Sequence, residues 1–154
     1  MPMFIADAAL GRLVTWLRLL GYDTVYARQA RAPELVRRAR TEGRILLTRD
    51  TRLARRRDLP AHLLVTSDDF RVQLRQVLAA YAGCAPSRFF VRCARCNAPL
   101  ESIDRAAARG SVPAYVYRTQ TSFGRCPQCA RIYWSATHVE RMRSELRQLG
   151  LPTA

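Results

Sequence analysis

The segment from Arg44 to Asp50, RILLTRD, constrains the fold most strongly, because a short apolar run ends there in an acid. Ile45, Leu46 and Leu47 follow a glycine and precede polar residues, which is typical of a strand buried on both faces. The basic segment from Thr51 to Arg57 comes next and is predicted to be a short helix. An acid at the carboxyl end of a buried parallel strand lies at the sheet edge where open α/β proteins bind ligands.

The same pattern, an apolar run followed by an acid, occurs at two other places in the chain. Residues 4–6 lead into Asp7, and residues 62–65 lead into Asp68 and Asp69. Because parallel strands end at a common edge, the acids after these strands are expected to lie near one another and near Asp50. The sequence therefore predicts a group of carboxylates along one edge of a sheet.

Strands and helices alternate up to about residue 82, which predicts a parallel sheet with right-handed crossovers. Apolar residues at helical spacing predict helices after the first and last strands, and Pro33 and Gly43 are predicted to bound another helix. Residues 1–83 are therefore expected to form an α/β domain. Its predicted strands are Met3–Ala6, Thr24–Ala27, Ile45–Leu47 and His62–Val65.

Two C-x-x-C pairs, Cys93–Cys96 and Cys126–Cys129, mark the second half of the chain. Each pair suits a tight turn that presents two sulfurs to one tetrahedral zinc ion. Four cysteines leave no open coordination position, so the zinc is predicted to be structural. The alternative is a pair of redox dithiols, but neither pair opens a helix after a strand as a thioredoxin-like motif does. The long gap between the pairs indicates an inserted loop around residues 110–113.

The second domain is predicted over residues 88–154, after a linker at Cys84–Ser87. Short strands and turns are expected to surround the metal, and a last helix is expected from His138 to Leu149. Because four cysteines complete the zinc site, His138 is not expected to be a ligand. The odd cysteine, Cys84, is interpreted as an ordinary buried or linker thiol.

The charge of the chain favours a polyanionic partner. Its 154 residues include 26 basic residues, all of them arginine, and 12 acidic residues, for a net charge of +14. Such a balance favours nucleic acid over a membrane surface. No apolar stretch is long enough to span a bilayer, and charged residues interrupt the apolar N-terminal stretch, so a cytoplasmic location is expected.

The acids at the sheet edge have two interpretations. Aspartate is a favourable N-cap, so each acid could merely begin a helix. Clustered carboxylates repel one another, however, and such clusters are typical of sites for a hard cation such as Mg²⁺ or Mn²⁺, which can activate water for phosphodiester hydrolysis. Arginines near this edge would contact phosphates or form a solvated helix face. They are Arg12, Arg49, Arg52, Arg55, Arg56 and Arg57.

Three aromatic side chains are candidates for stacking on bases. For Trp16, packing against the sheet is the favoured interpretation. For Tyr133 and Trp134, beside the second cysteine pair, base stacking and packing in a small metal-stabilised core both stay open.

Several segments of the chain resemble a known family. FIADAALGRLVTWLRLLGYDT, LVRRARTEGRILLTRDTRLARR and LLVTSDD resemble the PIN-like nuclease module, and the cysteine pairs followed by IYWSATHVERM resemble its attached zinc ribbon. Together, from Phe4 to Met142, they resemble the Mut-seven C-terminal RNase family. The resemblance implies a compact PIN-like parallel sheet flanked by helices and followed by a small zinc-ribbon domain.

The resemblance also implies a metal-dependent endoribonuclease. Asp7, Asp50 and either Asp68 or Asp69 match the family acids that bind Mg²⁺ or Mn²⁺ and position the attacking water. The zinc ribbon would help to bind the RNA, either single-stranded or structured. Small PIN domains often dimerise, so a homodimer is also considered.

The sequence departs from the family pattern before the second predicted helix. Ala32 stands where the pattern leads us to expect an acid, and Glu34 is the only carboxylate nearby, so Glu34 joins the candidate catalytic residues. Two alternatives to this metal-dependent endoribonuclease stay open. One is a non-catalytic RNA- or DNA-binding adaptor whose acids are only helix caps, and the other is the toxin of a toxin–antitoxin pair.

Overall fold

A computed structural model describes residues 1–81, 89–134 and 136–151, with the backbone alone for residues 136–138. The predicted linker Cys84–Ser87 and the side chain of His138 lie outside the described residues. None of the helices among the described residues combines the length and the hydrophobicity that a membrane span requires.

The N-terminal half contains a four-stranded sheet in the order β2-β1-β3-β4, with every neighbouring pair parallel. This confirms the predicted α/β fold. The central strands β1 and β3 are almost wholly buried because helices cover both faces of the sheet, which explains their unbroken apolar sequences. The strands are β1 (Phe4–Ala6), β2 (Thr24–Tyr26), β3 (Ile45–Thr48) and β4 (His62–Leu64).

The helices divide into two layers. Phe4 and Ala6 pack with α1 and α4 on one face of the sheet, whereas Ile5 packs with α2 and α3 on the other, as the alternation of side chains along a strand requires. A 3-10 helix, Ala8–Leu10, leads into α1. The helices are α1 (Gly11–Leu19), α2 (Ala32–Thr41), α3 (Thr51–Ala54) and α4 (Phe70–Ala80).

Helix α3 is shorter than the segment to Arg57 that the sequence predicted. The N–H groups of Arg55 and Arg56 donate to carbonyls three residues earlier, at 3.3 and 3.1 Å. This tighter bonding is typical of a helix end, so α3 stops at Ala54 and Arg55–Arg57 lie beyond it.

The C-terminal half contains a three-stranded antiparallel sheet in the order β5-β6-β7. Two short helices occupy the gap between the cysteine pairs, so the predicted insertion around residues 110–113 is the turn between them. The elements are β5 (Glu101–Ile103), α5 (Arg105–Ala108), α6 (Ala114–Thr119), β6 (Phe123–Arg125), β7 (Ile132–Trp134) and α7 (Ala136–Gln148).

The last helix, α7, packs against the core of the N-terminal sheet. Met142 and Leu146 belong to the same buried cluster as Phe4. Arg71 of α4 donates two hydrogen bonds to Glu145 of α7, both 2.9 Å long. The end of the chain therefore helps to complete the core that the beginning of the chain builds.

Candidate active site and metal centre

Three hydrogen bonds hold Asp7 at the carboxyl end of β1. Its Oδ1 accepts from the N–H of Ala9 at 3.0 Å, and its Oδ2 accepts from the Thr48 hydroxyl at 2.6 Å and the Arg49 N–H at 2.9 Å. Thr48 is the last residue of β3, which pairs in parallel with β1, and Arg49 follows it directly. The neighbouring strand therefore fixes the orientation of the Asp7 carboxylate.

Asp50 is the N-cap of α3 and is linked to Asp7 through Thr48. Its N–H donates to the Thr48 hydroxyl at 3.0 Å, and its Oδ1 accepts from the N–H groups of Arg52 and Leu53 at 2.8 and 3.1 Å. Its Oδ2 makes no hydrogen bond to the described residues. Thr48 thus contacts the side chain of one candidate acid and the backbone of the next.

The acids after β4 have different surroundings. Asp69 caps α4, and its Oδ1 accepts from the N–H of Arg71 at 2.8 Å. Asp68 is 90% exposed at its side chain and forms an ion pair with the guanidinium of Arg49. The Nε of Arg49 is buried and has no hydrogen-bond partner in the described part of the chain. Arg49 therefore contacts Asp7 through its backbone and Asp68 through its side chain.

The five candidate acids do not converge into a tight ligand cluster in this structure. Among the described residues, only the four cysteines form a group of three or more potential metal ligands whose donor atoms all lie within 4.8 Å. Asp50 and Asp69 are exposed helix caps. Glu34 is also exposed, in the first turn of α2, and Ala32 begins that helix.

A cleft of about 370 Å³ opens next to the start of α4 and contains Asp68, Asp69 and Arg12. The guanidinium carbon of Arg12 lies 4.1 Å from the centre of the Phe70 ring, and that of Arg71 lies 4.7 Å from it. These are distances at which a cation is attracted to an aromatic face. The cleft therefore combines carboxylates with two positioned arginines.

The other predicted phosphate contacts lie on or just after α3. Arg52 and Arg55 are exposed there. Arg56 donates two hydrogen bonds to Asp58, at 2.9 and 2.6 Å, so its charge is partly balanced within the chain. Of the predicted arginines, two have side chains near the acids after β4. Arg49 forms an ion pair with Asp68, and Arg12 lines the cleft that contains Asp68 and Asp69.

The four cysteine sulfurs are arranged as a metal site. All of them lie within 4.8 Å of one another, and the sulfurs of Cys93 and Cys129 are 3.7 Å apart. A tetrahedral zinc ion with Zn–S bonds of about 2.3 Å separates its ligands by about 3.8 Å. The cysteines therefore fit a structural zinc ion, with no further ligand required.

The two C-x-x-C turns have the same backbone form. In the first, the Cys93 carbonyl accepts from the N–H of Asn97 at 2.9 Å; in the second, the Cys126 carbonyl accepts from the N–H of Ala130 at 2.9 Å. Asn97 and Ala130 have φ values of 67° and 59°, in the left-handed region. Each turn thus needs a left-handed residue directly after its second cysteine.

The thiols of the cluster differ in acidity. Burial opposes ionisation of Cys93, but hydrogen bonds from the Tyr133 hydroxyl and from backbone N–H groups outweigh this effect and lower its pKa to about 6. Burial raises the pKa of Cys96 to about 12, and its hydrogen bond to Cys129 and the charge of Cys93 act in the same direction. The Cys93 thiolate therefore forms readily, and its negative charge opposes ionisation of Cys96. A bound cation relieves this repulsion.

A buried arginine joins the first cysteine turn to the parallel sheet. Arg18 of α1 is 7% exposed, and its Nε donates to the Thr24 carbonyl at 2.9 Å. One of its terminal nitrogens donates to the carbonyls of Ala94 and Arg95, at 3.0 and 2.8 Å, the two residues between the first cysteines. This role of Arg18 was not predicted from the sequence, although its position one helical turn after the apolar Val14 was a signal for it.

Asn97 and Asp23 make a second connection beside Arg18. The Asn97 side chain accepts from the N–H of Thr24 at 3.0 Å and donates to Asp23 at 2.8 Å. Arg44 also donates to Asp23, at 2.7 Å. Because β2 is an edge strand, the N–H of Thr24 has no neighbouring strand on its side to bond to, and the side chain of Asn97 accepts its hydrogen bond instead. The first cysteine turn is therefore docked on the edge of the sheet.

The match to a family model covers nearly the whole chain: the Mut7-C RNAse domain aligns with residues 2–146. The chain belongs to the Mut7-C RNAse domain family. The aligned residues of this Mut7-C RNAse domain include both the acids of the sheet edge and the four cysteines, which confirms the resemblance seen in the sequence. Family membership supports ribonuclease activity and implies RNA as the substrate. Neither a search of curated proteins nor a search of solved structures found a significant match.

Proposed function

We propose that the protein is a metal-dependent endoribonuclease that cuts RNA at the carboxyl edge of a PIN-like sheet. The main support is the link between the first two acids: one buried hydroxyl, that of Thr48, bonds both to Asp7 Oδ2 and to the Asp50 N–H. An acid that serves only as a helix cap needs no such bond to its neighbour. A catalytic site that needs two acids at a fixed relative position would need such a link.

The carboxylates are chemically suited to a hard cation, which would have to draw their oxygens together, because they do not form a close ligand group in this structure. Asp50 and Asp69 make all their helix-capping bonds through Oδ1, so capping and cation binding use different oxygens. Asp7, Asp50 and either Asp68 or Asp69 would hold Mg²⁺ or Mn²⁺, with Glu34 as a further acid at the start of α2. When bound, the cation activates water and stabilises the charge that develops on the phosphate.

The arginines near the acids would bind the RNA backbone. In the free protein Asp68 neutralises the guanidinium of Arg49, and a phosphate group would compete for the same guanidinium. Arg12 lines the adjoining cleft and would contact the next part of the strand, with Arg52, Arg55 and Arg56 extending the basic surface. The zinc ribbon would orient the RNA, since its first cysteine turn is fixed to the sheet domain through Arg18.

Cleavage of a labelled, partly single-stranded RNA tests this proposal. The zinc-loaded protein would be assayed without divalent cation, with Mg²⁺ and with Mn²⁺, beside the variants Asp50→Asn and Asp104→Asn. We expect metal-dependent cleavage that Asp50→Asn abolishes without loss of RNA affinity. Asp104→Asn is the matched control, because Asp104 is an exposed acid of the C-terminal half that makes no side-chain cap bond.

A non-catalytic RNA-binding adaptor is the second candidate, and one observation favours it. Asp7, Asp50 and Asp69 each cap a helical segment, so each has a structural role without any metal. RNA binding without cleavage under every metal condition, unchanged in Asp50→Asn, would establish the adaptor and exclude the nuclease.

A further inference from the structure

A second cleft, of about 350 Å³, lies between α1, β7 and α7. Its aromatic walls come from Trp16, Phe90, Tyr133 and Trp134, and two exposed arginines, Arg131 and Arg141, border it. None of the candidate acids lines it. The cleft therefore combines flat apolar walls with positive charge.

One face of α1 connects this aromatic cleft with the cleft that contains Asp68 and Asp69, which we call the acidic cleft. Arg12 lines the acidic cleft, whereas Trp16 and Leu19 line the aromatic one, and the three residues follow one another at spacings of four and three, which places them on one side of the helix. Phe70 lines the acidic cleft, and its ring centre lies 5.6 Å from that of Trp16. At about 1.5 Å per residue, Arg12 and Leu19 are about 10 Å apart along the axis of α1.

The zinc ribbon holds one wall of the aromatic cleft in place. The Tyr133 hydroxyl accepts from the N–H of Ala94 at 3.0 Å and lies 3.2 Å from the sulfur of Cys93. A ring whose hydroxyl is anchored in this way loses little freedom when a ligand packs against it. The metal centre thus positions a stacking surface on the side of the molecule that faces α1.

We propose that this cleft binds one unstacked base of a single-stranded RNA segment whose backbone runs along α1 to Arg12 and the acidic edge. Aromatic walls accept the π-face of any base, and bordering arginines attract the adjoining phosphates. The inference rests on the proposed function in that RNA is the ligand. It specifies the substrate as RNA that is unpaired next to the cleavage point, with little preference for base identity.

Tryptophan fluorescence measures occupancy of the cleft directly, because both tryptophans of the chain, Trp16 and Trp134, line it. The zinc-loaded Asp50→Asn protein would be titrated with a single-stranded oligoribonucleotide and with an abasic oligomer of the same length and charge. We expect the base-containing oligomer to quench the fluorescence and to bind about 5- to 100-fold more tightly than the abasic one.

Two variants locate the effect. Trp134→Leu keeps an apolar side chain but removes a stacking face, and Arg141→Gln removes an exposed charge without altering the core. Trp134→Leu should reduce the preference for the base-containing oligomer, whereas Arg141→Gln should weaken the binding of both oligomers, because both carry the same phosphates. Tyr115→Leu is the matched control, because Tyr115 is an aromatic residue of α6, 68% exposed, that does not line the cleft. Zinc content and melting temperature would establish that each variant is folded.

The outcomes separate this inference from the nuclease proposal. Equal affinity for both oligomers with no quenching would overturn the base site, even if the wild-type protein cuts RNA. Quenching by the base-containing oligomer in a protein that never cuts RNA would support the base site and contradict only the nuclease. Quenching that grows with protein concentration in the absence of RNA would show that a second copy covers the cleft, and would overturn the inference.

Discussion

The hydroxyl of Thr48 donates a hydrogen bond of 2.6 Å to Oδ2 of Asp7. The same hydroxyl accepts from the N–H of Asp50 at 3.0 Å, and Thr48 is fully buried. A hydroxyl offers one donor and two acceptor positions, so this one group can serve both acids at once. The relative position of the first two candidate catalytic acids therefore depends on a residue that is itself neither acidic nor exposed.

Replacing Thr48 by valine tests this dependence. The change keeps the shape of the side chain but removes one of the three hydrogen bonds to the Asp7 carboxylate and leaves the Asp50 N–H without its partner, so we expect cleavage to fall at least tenfold and the free energy of unfolding to fall by about 1–2 kcal/mol. Single-turnover cleavage and urea unfolding measure the two effects. Thr48→Ser retains the hydroxyl and should keep most of the activity. Wild-type cleavage by Thr48→Val would show that the link is not needed.

Replacing Arg18 by methionine tests the connection between the first cysteine turn and the parallel sheet. Methionine fills much of the same volume, but the carbonyls of Thr24, Ala94 and Arg95 lose their donor, so we expect the free energy of unfolding to fall by about 2–4 kcal/mol. The first cysteine turn should also loosen, and zinc should pass more quickly to a competing chelator. Arg37→Met, on the exposed surface of α2, is the control and should change neither quantity.

Metal analysis of the purified protein should find about one zinc ion per chain. Cys126→Ser should lose it, because Cys126 is a fully buried member of the ligand set, and the melting temperature should fall sharply since a structural zinc contributes directly to folding. Cys84→Ser changes the cysteine that is not one of the four proposed ligands and should retain the metal. A stable, fully active protein without zinc would contradict a structural role.

Replacing Ala130 by glycine should stabilise the protein. Ala130 has a φ of 59°, a conformation that is unfavourable for a residue with a side chain, so relief of this strain should exceed the extra freedom of glycine in the unfolded chain by about 0.5–1 kcal/mol. Thermal unfolding of the zinc-loaded protein measures the gain. Asn97→Gly is the informative comparison: it occupies the equivalent position but should destabilise, because its side chain bonds to Thr24 and Asp23.

The ion pair of Asp23 should make stability depend on pH. Burial raises the pKa of Asp23, but hydrogen bonds from Arg44 and Asn97 outweigh this effect and hold the pKa below its ordinary value. The carboxylate therefore stabilises the folded protein above the ordinary aspartate pKa, near 3.9, and this contribution is lost as the pH falls through the lowered value.

We expect Asp23→Asn to cost about 1–2 kcal/mol at pH 7 and progressively less below about pH 4. Urea unfolding of the wild-type and Asp23→Asn proteins across this pH range measures the difference in their free energies of unfolding. Protonation of the cysteines affects both proteins alike, so it cancels from this difference. Asp104→Asn, at an exposed position without a side-chain cap bond, should leave the curve unchanged. A difference that persists at low pH would rule out ionisation of Asp23 as the cause.

Local patterns predicted the strands and the metal ligands well. Ile45, Leu46 and Leu47 form an unbroken apolar run because both faces of β3 are covered, and such a run is visible without a structure. The C-x-x-C spacing predicted the cysteine site because two residues are what a tight turn between paired ligands requires. The length of α3 was less predictable, since the bonding that ends it at Ala54 leaves no distinctive residue in the sequence.

The sequence by itself determined that acids follow β1, β3 and β4, that the sheet is parallel, and that four cysteines share one site, because these features follow from hydrophobic periodicity and short spacings. Only the tertiary structure decided that Thr48 joins Asp7 to Asp50 and that Arg18 holds the first cysteine turn. Arg18 bonds to residues 76 and 77 positions away in the chain. Such contacts depend on how separate elements dock, and docking is a property of whole surfaces that no local pattern of residues specifies.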